Sequence, residues 1–170
     1  MIAAREWAKL SPEQKDKIAM YIDDVPVKLG AIARELGVTV KLSTMKPGLS
    51  GHIQKDESGN YVIKINRHET RERQRFTLAH EISHFLLHKD IIDQLEDGIE
   101  DNVLYRSGAP ERKEYEANRL AAEIVMPERV VKAKVEALGG PVSEEMIEKM
   151  AEIFQVSKAA MEIRLGPYID

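Results

Sequence analysis

Residues His80-Glu81-Ile82-Ser83-His84 set two imidazoles four positions apart, with a carboxylate beside the first. On an α-helix, positions i and i+4 stand one above the other on the same face, so both rings can reach one point without straining the backbone. Glu81 follows one step round the helix, close enough to reach a water held at that point. This H-E-x-x-H spacing suits a zinc ion and the activation of its water. The flanks constrain the fold further. Phe76, Leu78, Ala79, Ile82, Phe85, Leu86 and Leu87 make the helix apolar round much of its circumference, and such a helix is buried. Two histidines and a glutamate inside it need partners, because unpaired buried polar groups are costly. A shared metal ion satisfies all three. A surface helix with two solvated histidines is the bland alternative, and those flanks argue against it.

A zinc site that works on water takes three protein ligands and keeps a fourth position open. An extended form of the pattern would put Asp90 at the third ligand position. Leu87 stands where that form needs a turning glycine, so the helix is expected to run on through His88 and carry Asp90 away. The better candidate lies on a second helix, residues 114–126, rich in strong helix formers and stopped by Pro127. Its apolar stripe is Ala117, Leu120, Ala121, Ile124 and Val125. Glu114 shares that inward face and is the expected third ligand, the alternative being a surface pair with Arg112 or Arg119. Glu116 projects more than half a turn away and is expected to be solvated. Asn118 is placed to accept a hydrogen bond from a ligand imidazole N–H. His88, four residues after His84, either shadows the site or caps the helix end, where a cation is favoured; the cap is the expectation. Tyr105, Tyr115, His52 and Arg106 stay open as donors to a reaction's oxyanion.

These residues carry a family resemblance. The run from Arg75 through His80-Glu81-Ile82-Ser83-His84 to His88 resembles the signature of the ImmA/IrrE family of zinc metallo-endopeptidases. The later Glu114-x-x-Ala117-Asn118-x-x-Ala121, ending in Met126-Pro127, resembles that family's second motif. More diffuse similarity covers Ile32 to Val38, Tyr61 to Asn66 and Ala151 to Leu165. The resemblance implies Zn2+ held by His80, His84 and Glu114, with Glu81 as general base. It implies an endopeptidase that cleaves a helix-turn-helix repressor protein, derepressing genes of a mobile element, a stress response or a toxin–antitoxin-like module. Ile82-Ser83 stands where the family often has Leu-Gly; serine is small enough to keep close helix packing.

The rest of the chain supplies a scaffold. Residues 12–22 and 25–36 read as helices, the second closed by Gly37. Residues 38–42, 52–55 and 60–66 read as strands, the last two joined by the turn Asp56-Glu57-Ser58-Gly59. The expected fold is α+β and zincin-like: a small, mostly antiparallel sheet packed on helices that include the H-E-x-x-H helix. Residues 1–140 are expected to form the metallopeptidase core, and 141–170 a helical hairpin packed on it or appended to it. The charged run 67–75 reads as a solvated helix start, and 91–113 as a long polar connection, either a plain loop or a lid.

Composition excludes several classes. The 170 residues contain no Cys, so no disulfide framework holds the fold and a reducing cytoplasmic setting suits it. No apolar run approaches the ~20 residues that span a membrane, and no signal-peptide segment opens the chain. The net charge of −4 argues against nucleic acid as the main ligand. A DNA-binding regulator nevertheless remains the alternative from another class, because helix 144–154, a turn at 155–157 and helix 158–165 resemble a helix-turn-helix. A catalytically silent zinc protein that binds a repressor is a third possibility. Only Lys158 and Arg164 give that last helix basic groups, so a helical hairpin closing the core is the preferred reading.

Overall fold

Buried isoleucines, Ile53, Ile63, Ile65 and Ile99, give the sheet its inner face. The computed structural model describes residues 3–102 and 110–169. Its strands are β1 (Thr39–Ser43), β2 (Leu49–Lys55), β3 (Tyr61–Asn66) and β4 (Ile99–Asn102), in the spatial order β1-β3-β2-β4. β1 runs parallel to β3, while β2 pairs antiparallel with both β3 and β4. The sheet is thus mostly antiparallel, as expected, with β1 and β4 at its edges. Asp56 Oδ1 turns the β2–β3 hairpin, accepting from the backbone N–H groups of Ser58 and Asn60 at 2.9 Å each. Ile53 lies opposite Ile63 on one side and Ile99 on the other, and all three are fully buried. His52, Lys64 and Glu100 form the adjacent row, which points to the other face because side chains alternate along a strand.

The helices are α1 (Ala3–Trp7), α2 (Pro12–Ile22), α3 (Leu29–Glu35), α4 (Arg71–Leu87), α5 (Lys89–Gln94), α6 (Glu111–Val125), α7 (Glu128–Leu138), α8 (Glu144–Phe154) and α9 (Lys158–Leu165). Thr70 caps α4, its Oγ1 accepting from the Arg73 N–H at 3.2 Å. Every residue of α4 from Ala79 to Phe85 is buried, because β2 covers one side and α6 the other. On α6 the fully buried Ala117 and Ala121 are small enough to admit α4. Gly37 follows α3 with a φ of +77°, the left-handed closure expected of it.

Three departures from the sequence reading are structural. Residues 91–113 are not simply a long connection: they hold most of α5 and all of β4, pinned by the buried Ile92 and Ile99. Ile91, Ile92 and Leu95 make only one helical turn, and Ile99 stands alone among acidic residues, so neither element has a run long enough to announce it. The charged run is only partly solvated. Arg73 reaches Ser50 and Asp101, and Arg75 donates to the Val27 carbonyl at 2.9 Å. The third departure is α7, which follows Pro127, ends at Leu138 and is closed by Gly139.

The C-terminal helices fall where the sequence put them. Met150 and Phe154 of α8 and Met161 and Leu165 of α9 are fully buried in the same apolar core as α4. Arg164 donates twice to the Met126 carbonyl, at 2.9 and 2.7 Å, and pairs with Glu123. Lys158 pairs with Glu144 and Glu148. Both basic groups of α9 are thereby committed to protein partners, which leaves little charge for phosphate. Among the described residues no helix is long and apolar enough to cross a membrane.

Candidate metal centre

α4 and α6 cross so that three side chains converge. His80 Nε2 lies 3.0 Å from Glu114 Oε2, His84 Nε2 lies 3.2 Å from Glu114 Oε1, and the two Nε2 atoms are 3.1 Å apart. The fourfold spacing on α4 stacks the rings, and α6 brings Glu114 from its first turn. His80 and His84 are buried, and Glu114 is nearly so.

The outer ring nitrogens settle what the inner ones carry. Asn118 Oδ1 can only accept, so the 2.8 Å contact to His80 Nδ1 puts the proton of a neutral His80 on Nδ1. Its Nε2 then presents a lone pair. Burial lowers the His84 imidazole to about 4, so this ring too is neutral near pH 7. Its Nδ1 lies 2.9 Å from His88 Nδ1, and His88 Nε2 lies 3.1 Å from Glu116 Oε2. The Glu116 carboxylate accepts from His88 Nε2–H, which leaves His88 Nδ1 to accept from His84 Nδ1–H. The inner Nε2 of His84 is again a lone pair. Two imidazole lone pairs and a carboxylate facing one another in a buried space repel unless a cation lies among them. Two nitrogens and a carboxylate oxygen form the donor set that zinc takes in sites keeping one position open, so these residues fit that ion.

Glu81 lies next to this cluster. It is wholly buried, and among the described residues neither carboxyl oxygen has a hydrogen-bond partner. Burial first, then the nearby charges of Asp101 and Glu114, pushes its pKa well above the ordinary carboxylate value. Room for it comes from Gly51 on β2: a Cβ there would meet Thr77 Cγ2, lie 3.3 Å from the Lys64 carbonyl and 3.5 Å from Glu81 Oε1. Ligand atoms of His80, Glu81 and Asp101 also lie within 4.8 Å of one another.

Of the side chains singled out from sequence, His80, Glu81, His84, Glu114 and Asn118 come together. The surface pairing offered for Glu114 is not formed, since Arg112 pairs with Glu116 and Arg119 with Glu6. Asp90 is exposed on α5. His52 contacts the Asp97 carbonyl on the sheet face turned from α4, away from the cluster. Tyr115 is half exposed at the rim of a cavity of about 710 Å³, whose wall includes Phe76, Asn118, Val131 and Ile163. Tyr105 and Arg106 lie outside the described residues.

Two expectations are corrected here. Glu116 is not solvated: it is 3% exposed, and Lys9, Arg112, Lys113 and His88 surround its carboxylate. Burial works to raise this carboxyl, but the His88 N–H and the ammoniums of Lys113 and Lys9 outweigh it and bring it down to about 2. Nor does His88 act as a cationic cap. It closes α4 through its backbone, but its ring is buried and burial lowers its pKa, so it serves as a neutral bridge from Glu116 to His84. Asp101 had no sequence signal at all, because only the β2–β4 pairing brings it near α4.

Comparison with known proteins finds a matching family, a related sequence and a similar fold. Residues 33–166 match a peptidase family described as the IrrE N-terminal-like domain. Over 80 residues, 46% of the chain, the sequence is 40% identical to the radiation response metalloprotease IrrE of Deinococcus radiodurans. The fold is similar to that of a Mycobacterium tuberculosis transcriptional regulator, with a TM-score of 0.57 over 96% of the chain. At 14% identity that likeness is one of fold alone. The chain spans 23% of the length of the metalloprotease and 49% of that of the regulator.

Proposed function

The chain belongs to the IrrE N-terminal-like peptidase family, and on that premise we propose that it is a zinc-dependent endopeptidase. In this reading His80, His84 and Glu114 hold the metal, Glu81 is the general base and Asn118 orients His80. The convergence of three lone-pair-bearing atoms in a buried space carries the proposal. Zinc, when bound, supplies Lewis acidity, lowering the pKa of a coordinated water to about 7 and polarising a carbonyl. Glu81 takes the proton of the attacking water on a carboxyl oxygen and hands it to the leaving amine. Its burial helps, since raised proton affinity is what a carboxylate base working near neutral pH needs. Asn118 and His88 keep the ring protons on the outer nitrogens, so that both Nε2 atoms remain free to donate.

The substrate in this proposal is a protein, a helix-turn-helix repressor whose cleavage releases the genes it silences. The family resemblance supports that choice, and the likeness to a radiation response metalloprotease supports a protein substrate. Zincin-like residues 1–140 would form the peptidase core and 141–170 the hairpin packed on it, in a cytoplasmic protein. Elemental analysis of the purified chain, followed by incubation with repressors encoded nearby, tests the reading. One zinc per chain is expected, with cleavage lost by at least about a hundredfold in Glu81→Gln. Cleavage by that variant at the wild-type rate would remove Glu81 from its role, and a chain that takes up no zinc would sink the proposal.

A further inference from the structure

The two histidines of the cluster are oriented by different means. His80 meets Asn118 directly. His84 has no such acceptor; its Nδ1 faces the ring of His88, whose far nitrogen reaches Glu116. The contacts of this row are 2.9 and 3.1 Å, and His84, His88 and Glu116 are all nearly inaccessible to solvent. At its outer end Lys9 (3.4 Å), Arg112 (3.3 Å) and Lys113 (3.8 Å) surround the Glu116 carboxylate.

We propose that Glu116 is a positioning residue for the metal site, acting through His88 to fix the tautomer and ring orientation of His84. A carboxylate can only accept, so it fixes the proton of His88 on Nε2. The Nδ1 of His88 must then accept, which fixes the proton of His84 on Nδ1 and leaves Nε2 bare toward the metal. Groups one shell out from a metal ligand commonly set its affinity in this way, at about 10–100-fold each. The relay differs in being two links long, with its anchoring carboxylate on the same helix as Glu114. It also ties Lys9, in the segment after α1, to the ligand set.

The inference rests on His84 being a zinc ligand, so the experiment separates the two claims. Zinc affinity is measured on the full chain by competition with a chromophoric chelator, for wild type, Glu116→Ala, His88→Leu and the double variant. Ring-nitrogen NMR on the metal-free wild type reads the tautomers directly. Each single variant is expected to bind zinc about 10–100-fold more weakly. Because the two residues act in series, the double variant should be no worse than the weaker single one. Glu116→Gln, whose side-chain carbonyl can still accept from His88, should keep most of the affinity. NMR should place the His84 proton on Nδ1 and the His88 proton on Nε2. Wild-type affinity in Glu116→Ala, losses that simply add, or a His84 proton on Nε2 would each overturn the relay. A wild type that binds no zinc refutes the metal reading instead, and the NMR result alone then decides the relay. If Glu116→Ala does not fold, Glu116→Gln, His88→Leu and the wild-type tautomers still decide it.

Discussion

Among the described residues, Glu81 is a buried carboxyl with both oxygens unpartnered. A carboxyl with no exposure and no partner among the described residues costs stability, and a general base beside a metal is a reason to keep it. The metal-free Glu81→Gln protein should therefore be as stable as wild type at neutral pH, or more stable by about 1–3 kcal/mol, because the amide carries no charge to desolvate. Urea unfolding in the presence of a chelator measures this; a clear loss of stability would show that the carboxyl has a stabilising partner. At the same scale lies the limit of the sequence reading. His80, Glu81 and His84 were legible because i, i+1 and i+4 on a buried helix leave few choices. Glu116 was not, since it stands some 200° from Glu114 and a helix with one buried stripe would expose it. In the fold α6 is covered on two sides, by α4 and by α1, and Glu116 lies where the second cover begins.

Elements position these residues through a few close approaches. β2 can lie against α4 because Gly51 has no side chain where Thr77 and Glu81 pack. Gly51→Ala should push the strand off the helix, costing about 1–3 kcal/mol and disturbing Glu81 at the same time. Thermal unfolding together with zinc affinity checks this; an alanine variant with unchanged stability would mean that Thr77 can swing aside. The hairpin of α8 and α9 offers the opposite kind of change. Gln155 ends α8 in the left-handed region, at a φ of 53°, and accepts from Arg71 Nε at 3.1 Å. Gln155→Gly should relieve the backbone and give up that exposed hydrogen bond, for a net gain of about 0.5–1 kcal/mol in urea unfolding. A loss would mean that the Arg71 contact outweighs the backbone cost. The helices with capping side chains, α2, α4, α8 and α9, and α6 with its apolar stripe, were readable from the chain because local signals determine them. α5 and β4 owe their conformation to partners distant in sequence, and no local pattern encodes that debt.

At the scale of the molecule, the cluster joins two halves of the chain: α4 carries two of its members and α6 the third, with α5, β4 and the 103–109 segment between them in sequence. A cation bound there would tie α4 to α6 in the folded state and have no preformed site in the unfolded one, so binding free energy becomes folding free energy. At a free zinc concentration a hundred times Kd the gain is about 2.7 kcal/mol. For a chain of this size each kcal/mol shifts the melting temperature by about 2–4 °C, so zinc should raise Tm by about 5–10 °C and a chelator should return it to the metal-free value. Glu114→Ala should lose most of that shift, because it removes a donor and leaves two lone pairs facing each other. On the role proposed for Glu81, which serves the water and not the ion, Glu81→Gln should keep it. These two responses separate holding the metal from using it, in a measurement that needs no substrate. A zinc-induced shift surviving intact in Glu114→Ala would move the third ligand elsewhere. Loss of the shift in Glu81→Gln would bring Glu81, with Asp101 beside it, into the ligand set.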